Sequence, residues 1–171
     1  LQRAFGEIHE EWDAVFVAIG LGETNKLNIG GESLDGVVDA LDFIERVKTR
    51  DWKNIPIGRN VVVIGAGNTA VDAVTQAKRL GAGRVTMVYR RTEKDAPAYD
   101  YEIELARKDG IEFVWNATPV EIVGDTRVTA IRLQQGEAEL NIACDMVIKA
   151  TGQQKMAAFF TGVIGVAVDE K

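Results

Sequence analysis

Apolar residues in this chain form short continuous runs, separated by segments in which they recur every three or four positions. The runs, which predict buried strands, are 13–20, 61–64, 85–89, 111–115 and 146–150. The helical spacing predicts helices at about 37–49, 69–80 and 97–109. Strands that alternate with helices usually join one parallel sheet. The pattern therefore predicts a parallel sheet with flanking helices.

The pattern changes after Pro119, where the strands become shorter and the turns lie closer together. Strands are predicted at about 120–123, 127–134 and 138–142, with turns at Gly124-Asp125 and Gln135-Gly136. Short strands joined by close turns are typical of an antiparallel meander. We expect a three-stranded antiparallel meander in addition to the parallel sheet.

The loop Gly65-Ala66-Gly67-Asn68-Thr69-Ala70 follows the strand 61–64 and opens a predicted helix. Gly65 suits a sharp turn, Gly67 has no side chain to block a phosphate, and Ala70 allows close packing of the helix on the sheet. Free amides and the positive end of the helix dipole attract anions. In this strand–loop–helix context the motif predicts a Rossmann-like site for a dinucleotide pyrophosphate. The alternative is a tight turn without a ligand. The predicted ligand-binding residues are Gly65, Gly67, Asn68, Thr69 and Ala70.

Basic residues follow the next predicted strand, at Arg90, Arg91 and Lys94. This position contacts the ribose in such folds, where arginine accommodates a 2′-phosphate and a carboxylate binds a free 2′-hydroxyl. The basic residues predict NADPH, whereas Glu93 keeps NADH open. A solvated basic turn is the alternative without a ligand.

Composition narrows the classes of partner. Acidic residues outnumber basic ones 26 to 20, and the net charge of −6 argues against nucleic acid or an anionic membrane as partner. No apolar run is long enough for a membrane span, and no signal peptide is visible. The single cysteine, Cys144, allows no internal disulfide and no cysteine-ligated metal, so no metal site is predicted. We expect a cytoplasmic protein, and the start at Leu1 looks like a cut.

Three strings carry a family resemblance: Val61-Val-Val-Ile-Gly-Ala-Gly-Asn-Thr-Ala-Val-Asp72, Val88-Tyr-Arg-Arg91 and Asp145-Met-Val-Ile-Lys-Ala-Thr-Gly-Gln153. They resemble the NADPH-binding domain of glutamate synthase small subunits and the equivalent region of dihydropyrimidine dehydrogenases. These belong to FAD-dependent oxidoreductases in which an NAD(P)H domain is inserted into an FAD domain.

The resemblance implies hydride transfer from NADPH to FAD. It implies that residues 1–55 form an exit segment of a flavin domain and a linker helix, 56–152 the NADPH-binding domain, and 153–171 the return segment. It adds Ala150, Thr151 and Gly152 to the expected cofactor-binding residues, and it suggests that Asp72 lies near the nicotinamide.

The chain contains no second glycine fingerprint for a flavin. We therefore expect FAD to bind to the full-length protein and not to this chain alone, which binds NADPH without turnover and carries no catalytic residue. A partner subunit or domain would perform the final reduction, and the acceptor is open. The alternatives are a self-contained dehydrogenase, for which a Tyr-x-x-x-Lys pair is missing, and a non-catalytic nucleotide-sensing or interaction module.

Overall fold

The computed structural model describes residues 11–160. Residues Thr24–Gly152 form one compact unit, and the segments on either side of it form a second. The compact unit thus begins at Thr24, and the predicted boundaries of the NADPH-binding domain, at 56 and 152, stay predictions. The assignment of the flanking segments to a flavin domain stays a prediction. No helix among residues 11–160 is both long and apolar enough to span a bilayer.

The compact unit contains eight strands and three α-helices within the described residues. The strands are β1 Val37–Asp39, β2 Asn60–Ile64, β3 Arg84–Val88, β4 Glu112–Val114, β5 Thr118–Gly124, β6 Val128–Gln135, β7 Ala138–Ala143 and β8 Met146–Lys149. The helices are α1 Ala40–Thr49, α2 Asn68–Arg79 and α3 Asp100–Lys108. Short 3₁₀ helices lie at Trp52–Asn54 and Glu93–Asp95.

Five strands form a parallel sheet in the order β1-β8-β2-β3-β4. In its register Ile64 lies beside Val88 on β3 and beside Lys149 on β8. The carboxyl ends of β2, β3 and β8 therefore lie at the same level. In open α/β sheets, ligands bind in the crevice outside this edge, where the strand order reverses.

The central strands are buried on both faces, as their continuous apolar sequence requires. On β2, Val61 and Val63 pack against the helices, in a core that includes Phe43 of α1. Val62 and Ile64 point the other way, into a core shared with the meander. The sheet thus lies between a layer of helices and a layer of antiparallel strands. This confirms the predicted fold class.

Strands β5, β6 and β7 form the antiparallel meander, in that order. Their inward residues Ile122, Ile131 and Leu133 are fully buried. The meander therefore covers the face of the parallel sheet that the helices leave open. Cys144, which follows β7, is buried in this core, and burial together with the charge of Asp145 raises the pKa of its thiol to about 12. The thiol is therefore protonated and unreactive at neutral pH.

Three predicted elements differ from the structure. Residues 13–20 contain no strand, because a strand forms only through hydrogen bonds to a neighbouring strand and residues 11–160 provide none here. Phe16, in the middle of this run, is 93% exposed. The helix expected at 37 begins at Ala40, because residues 37–39 pair with β8 as strand β1. The helix expected at Pro97 begins at Asp100.

The flanking segments run beside each other within their own unit. The amide of Gly22 donates to the carbonyl of Gln154 at 2.8 Å, and the amide of Gln154 donates to the carbonyl of Glu23 at 2.9 Å. In the compact unit, the amide of Asn25 donates to the carbonyl of Gly152 at 2.9 Å. The compact unit therefore begins and ends at adjacent positions.

Asp145 joins the starts of β2 and β8. Its carboxylate accepts hydrogen bonds from the amides of Arg59, at 3.0 Å, and Asn60, at 2.8 Å. Its own amide donates to the carbonyl of Asn60 at 3.0 Å. These bonds satisfy backbone donors at the edge of the sheet opposite the glycine loop.

Replacement of Asp145 by alanine should lower the free energy of unfolding by about 1.5–3 kcal/mol, because two amides lose a charged acceptor. Urea unfolding followed by circular dichroism measures this. Asp125→Ala, in the exposed turn after β5, is the matched control and should change stability by less than about 0.5 kcal/mol. Equal stability of the two variants would contradict the role given to Asp145.

Candidate functional site

Gly65 lies at the point where β2, β3 and β8 end together. Its φ is +130°, a conformation that side chains rarely adopt, and a Cβ there would lie 2.3 Å from the carbonyl oxygen of Ala150. Its amide donates to the carbonyl of Val88 at 2.9 Å. The amide of Ala150 in turn donates to the carbonyl of Ile64 at 2.8 Å. Only glycine fits between these strands, so the loop begins with a steric requirement of the fold.

Gly67 differs from Gly65, because a Cβ added to it would meet no atom within 4 Å. Its φ of −86° and ψ of 175° are extended and open to any residue. The fold therefore does not require glycine at position 67. The open space in front of it is the feature that a phosphate needs for a close approach to the backbone.

Helix α2 begins directly behind Gly67 with unsatisfied donors. The amides of Ala70 and Val71 donate to the carbonyl of Gly67, at 2.8 and 3.1 Å. No side chain caps the start of the helix, and its first turn contains no acidic residue. The amides of Asn68 and Thr69 have no acceptor inside the helix, and both residues are exposed. This end of the helix carries partial positive charge and donors that an anion can use.

Ala70 is fully buried, and so are Ala73 and Ala77 on the same face of α2. Their small side chains allow the helix axis to lie close to the sheet, as the sequence predicts for Ala70. The start of α2 is thereby fixed at the carboxyl edge of β2. The structure thus brings together Gly65, Gly67, Asn68, Thr69 and Ala70.

Arg90, Arg91 and Lys94 follow β3 and are exposed. The backbone beneath them is fixed, because the amide of Asn116 donates to the carbonyl of Arg91 at 2.9 Å and that of Ala117 donates to Tyr89 at 3.0 Å. The three cations therefore lie on an ordered loop at the same edge of the sheet as the glycine loop.

A small hydrogen-bonded turn at residues 92–95 fixes the second half of this loop, residues 90–95, which we call the basic loop. The hydroxyl of Thr92 donates to the carboxylate of Asp95 at 2.6 Å, and the Thr92 amide donates to it at 3.2 Å. These bonds lower the pKa of Asp95. The amide of Ala98 then donates to the carbonyl of Ala66 at 3.1 Å. This last bond joins the segment after the basic loop directly to the glycine loop.

Ala150, Thr151 and Gly152 differ in how they relate to this edge. Ala150 contacts Gly65, whereas the Thr151 hydroxyl donates to the carbonyl of Asn25 at 2.7 Å. Gly152 has a φ of +82° and accepts the Asn25 amide. Asp72 is exposed on α2, two residues after the glycine loop. Cofactor contacts by these four residues stay predictions.

A nearly buried charged cluster that the sequence pattern does not predict lies at the ends of β1 and β8. The ammonium of Lys149 lies 3.2 Å from a carboxylate oxygen of Asp39 and 3.3 Å from one of Glu32. Burial opposes the charge of Lys149, but the two carboxylates outweigh it and raise its pKa. A lysine inside an otherwise apolar strand is a signal for such partners, because lysine is almost never buried without one.

Glu32 also fixes the loop that precedes β1. Its carboxylate accepts the amides of Leu27, at 2.9 Å, and Asn28, at 2.8 Å. Burial raises the pKa of Glu32, but these amides and Lys149 outweigh burial, and the net pKa lies below its ordinary value of 4.5. The cluster therefore ties the loop 27–32 to the end of β8.

The fold and the site define a Rossmann-like domain, in which a glycine loop, an uncapped helix start and a basic loop lie at neighbouring strand ends. The family model described as pyridine nucleotide-disulphide oxidoreductase matches residues 5–171. The chain belongs to this family of oxidoreductases.

Two relatives that are similar over nearly the whole of this chain support the family assignment. The glutamate synthase (NADPH) small chain of Halomonas elongata is 33% identical, over 98% of this chain and 41% of its own length. The NADPH-Fe(3+) oxidoreductase subunit beta of Geobacter sulfurreducens is 30% identical, over 95% of this chain and 27% of its own length. This chain spans less than half the length of either. The resemblance to glutamate synthase small subunits is confirmed, and that to dihydropyrimidine dehydrogenases stays a prediction.

Among solved structures, thioredoxin reductase of T. acidophilum matches with a TM-score of 0.70 and 23% identity, over 86% of this chain and 47% of that one. This likeness supports the fold alone.

Replacement of Glu32 by glutamine should destabilise the protein by about 1–3 kcal/mol at neutral pH, because a part-buried cluster loses a charged acceptor. A carboxyl whose pKa is lowered by folding contributes stability above its ordinary pKa of 4.5 and loses it as the pH falls through the lower, folded value. The difference between wild type and variant should therefore shrink below about pH 4.5.

Urea unfolding at neutral pH and at about pH 3.5 tests this pH dependence. Glu137→Gln, in the exposed β6–β7 turn, is the control and should show no such dependence. A Glu32→Gln difference that is constant across this range would exclude an ionised Glu32 as its cause.

Proposed function

We propose that this chain is the NADPH-binding domain of a flavoprotein oxidoreductase that passes hydride from NADPH to FAD, of the glutamate synthase small-subunit or dihydropyrimidine dehydrogenase type. The observation that carries the proposal is the open space at Gly67, in front of an uncapped helix. Since the fold itself does not require glycine there, a ligand that approaches the backbone is the physical reason to keep position 67 free of a side chain.

In this proposal the amides at the start of α2 bind the pyrophosphate, with Gly67, Asn68 and Thr69 around it. When bound, NADPH supplies a hydride, and the flavin that accepts it is held outside this chain. The chain's own residues bind and orient the dinucleotide. Gly65 and Ala70 act indirectly, because they fix the loop and the helix that present the amides.

Arg90, Arg91 and Lys94 would bind the 2′-phosphate. Guanidinium groups match phosphate geometry, and the loop that carries them is fixed by backbone hydrogen bonds to the segment after β4. The names of both relatives, a glutamate synthase (NADPH) small chain and an NADPH-Fe(3+) oxidoreductase subunit, include NADPH. Together these observations favour NADPH over NADH.

The adjacent ends of the compact unit support an insertion into a flavin domain. Asn25 is hydrogen-bonded to Gly152, so a chain that leaves one domain at this point can return to it directly. The large apolar side chains of Trp12 and Phe16 in the flanking unit are 63% and 93% exposed, as expected of residues that a further domain would cover. We infer that the flanking segments connect to that domain.

The final acceptor of the electrons stays open, because the names of the two relatives indicate different acceptors. A partner subunit or domain would carry the final reduction. We expect the chain alone to bind NADPH without turnover. A cytoplasmic location is also proposed, in keeping with the single, buried thiol.

Replacement of Gly67 by valine should cost at most about 1 kcal/mol of stability, because the backbone there is extended and a Cβ meets open space. It should weaken NADPH binding by more than about tenfold, because the new side chain occupies the space proposed for the pyrophosphate. Isothermal titration with NADPH measures the affinity, and urea unfolding measures the stability. Ala138→Val, at the exposed start of β7, adds a β-branched side chain where the backbone is extended and should leave NADPH affinity unchanged. Unchanged NADPH affinity in Gly67→Val would contradict the proposed site.

Replacement of Arg90 by alanine should weaken NADPH binding by about ten- to a hundredfold and NADH binding by little, because only NADPH carries the 2′-phosphate. Titration of each variant with both cofactors gives the ratio of affinities. Arg79→Ala, at the far end of α2, is the matched control for loss of an exposed arginine. Equal loss for both cofactors would exclude a 2′-phosphate contact, and a folded wild type that binds neither would leave only an interaction module.

A further inference from the structure

We propose that Arg107 is a specificity-determining residue: it holds the carboxylate of Glu93 in an ion pair and thereby keeps the basic loop selective for the 2′-phosphate. This inference rests on the proposed function and names a residue outside the loop that acts on cofactor choice. Arg107 lies on α3, whereas Glu93 lies in the basic loop itself, between Arg91 and Lys94.

Glu93 and Asp95 are the acidic residues of this loop, and Glu93 lies between the cations Arg91 and Lys94. A carboxylate at this end of the second strand of a βαβ unit binds the free 2′-hydroxyl of NADH, and it repels a 2′-phosphate. A free Glu93 would therefore act against Arg90, Arg91 and Lys94. In the structure it is not free, because Nη2 of Arg107 lies 2.9 Å from its Oε1.

Arg107 is positioned for this pairing by two further contacts. Its other terminal nitrogen, Nη1, hydrogen-bonds Glu104 on the same helix, and its guanidinium carbon lies 5.3 Å from the centre of the Phe113 ring on β4. The ring of Phe113 is itself stacked on Trp115 at 5.3 Å. A guanidinium fixed on one side by a ring and on another by a carboxylate loses little freedom when it binds Glu93.

The Asp95 carboxylate in the same loop is also engaged, by the hydroxyl and amide of Thr92. Both acidic residues of the loop thus have partners inside the protein. Arg90, Arg91 and Lys94 remain as the exposed cations of the loop. This arrangement gives an acidic protein a local site for a phosphate.

The test replaces Arg107 by glutamine in the same chain and measures dissociation constants for NADPH and NADH by isothermal titration. We expect NADPH binding to weaken by up to about fivefold, the largest effect that one exposed unit charge has at contact distance in water, whereas NADH binding is unchanged or tighter. The shift should decrease at high salt, because an exposed charge is screened.

Three further variants separate this effect from others. Lys108→Gln removes the same charge from the next position on α3 and should leave the NADPH-to-NADH ratio unchanged. Glu104→Gln removes the other carboxylate partner of Arg107 and should change the ratio by less than about twofold. Addition of Glu93→Gln to Arg107→Gln should restore the wild-type ratio, since the carboxylate that becomes free is then absent.

A wild-type ratio in Arg107→Gln, or a shift that Glu93→Gln does not reverse, would overturn the inference. Neither result would affect the proposed function, provided that the wild type still prefers NADPH and that Arg90→Ala removes the preference. A wild type that binds NADPH and NADH equally would instead contradict the proposed cofactor, and the role of Arg107 with it.

Discussion

The close contact between Gly65 and the carbonyl of Ala150 is the constraint on which the candidate site depends. The loop after β2 must pass the end of β8 with 2.3 Å between that carbonyl oxygen and the position of a Cβ. This passage is possible only because three parallel strands end at one level, with Ile64 beside both Val88 and Lys149. The sheet thereby determines where α2 begins and which way its amides point. The electrostatics of the site follow from this packing.

Much of the fold could be predicted because its signals are local. The strand 60–64 is apolar on both faces, α2 has small residues on one face and Gly81 at its end with a φ of +101°, and the meander has turns at the expected positions. The glycine loop was predictable for the same reason, because a turn, an open backbone position and a close helix each demand a particular residue type at a fixed spacing.

The remaining features depend on partners that are distant in sequence. Strand β1 has only three residues and exists because it pairs with β8, more than a hundred positions later, so helical spacing around it predicted a helix. Residues 13–20 show the reverse case, since this apolar run has no strand neighbour among residues 11–160 and forms no strand there. The cluster of Glu32, Asp39 and Lys149 likewise needs three separate segments to meet. The periodicity of apolar residues predicts which face of an element is buried, but it does not predict which other segment packs against that face.

The two glycines of the loop separate stability from binding in a way that the motif alone does not. Both are expected from the sequence, yet a side chain at 65 would collide with the backbone of β8, whereas one at 67 would meet open space. Glycine at 65 is therefore explained by folding and says little about a ligand. Glycine at 67 has no such steric explanation, although glycine is an accepted residue at the start of a helix, and this helix start has neither a side-chain cap nor a first-turn acid. A bound dinucleotide is thus indicated less by the motif as a whole than by Gly67, where the packing of the fold leaves room for a side chain.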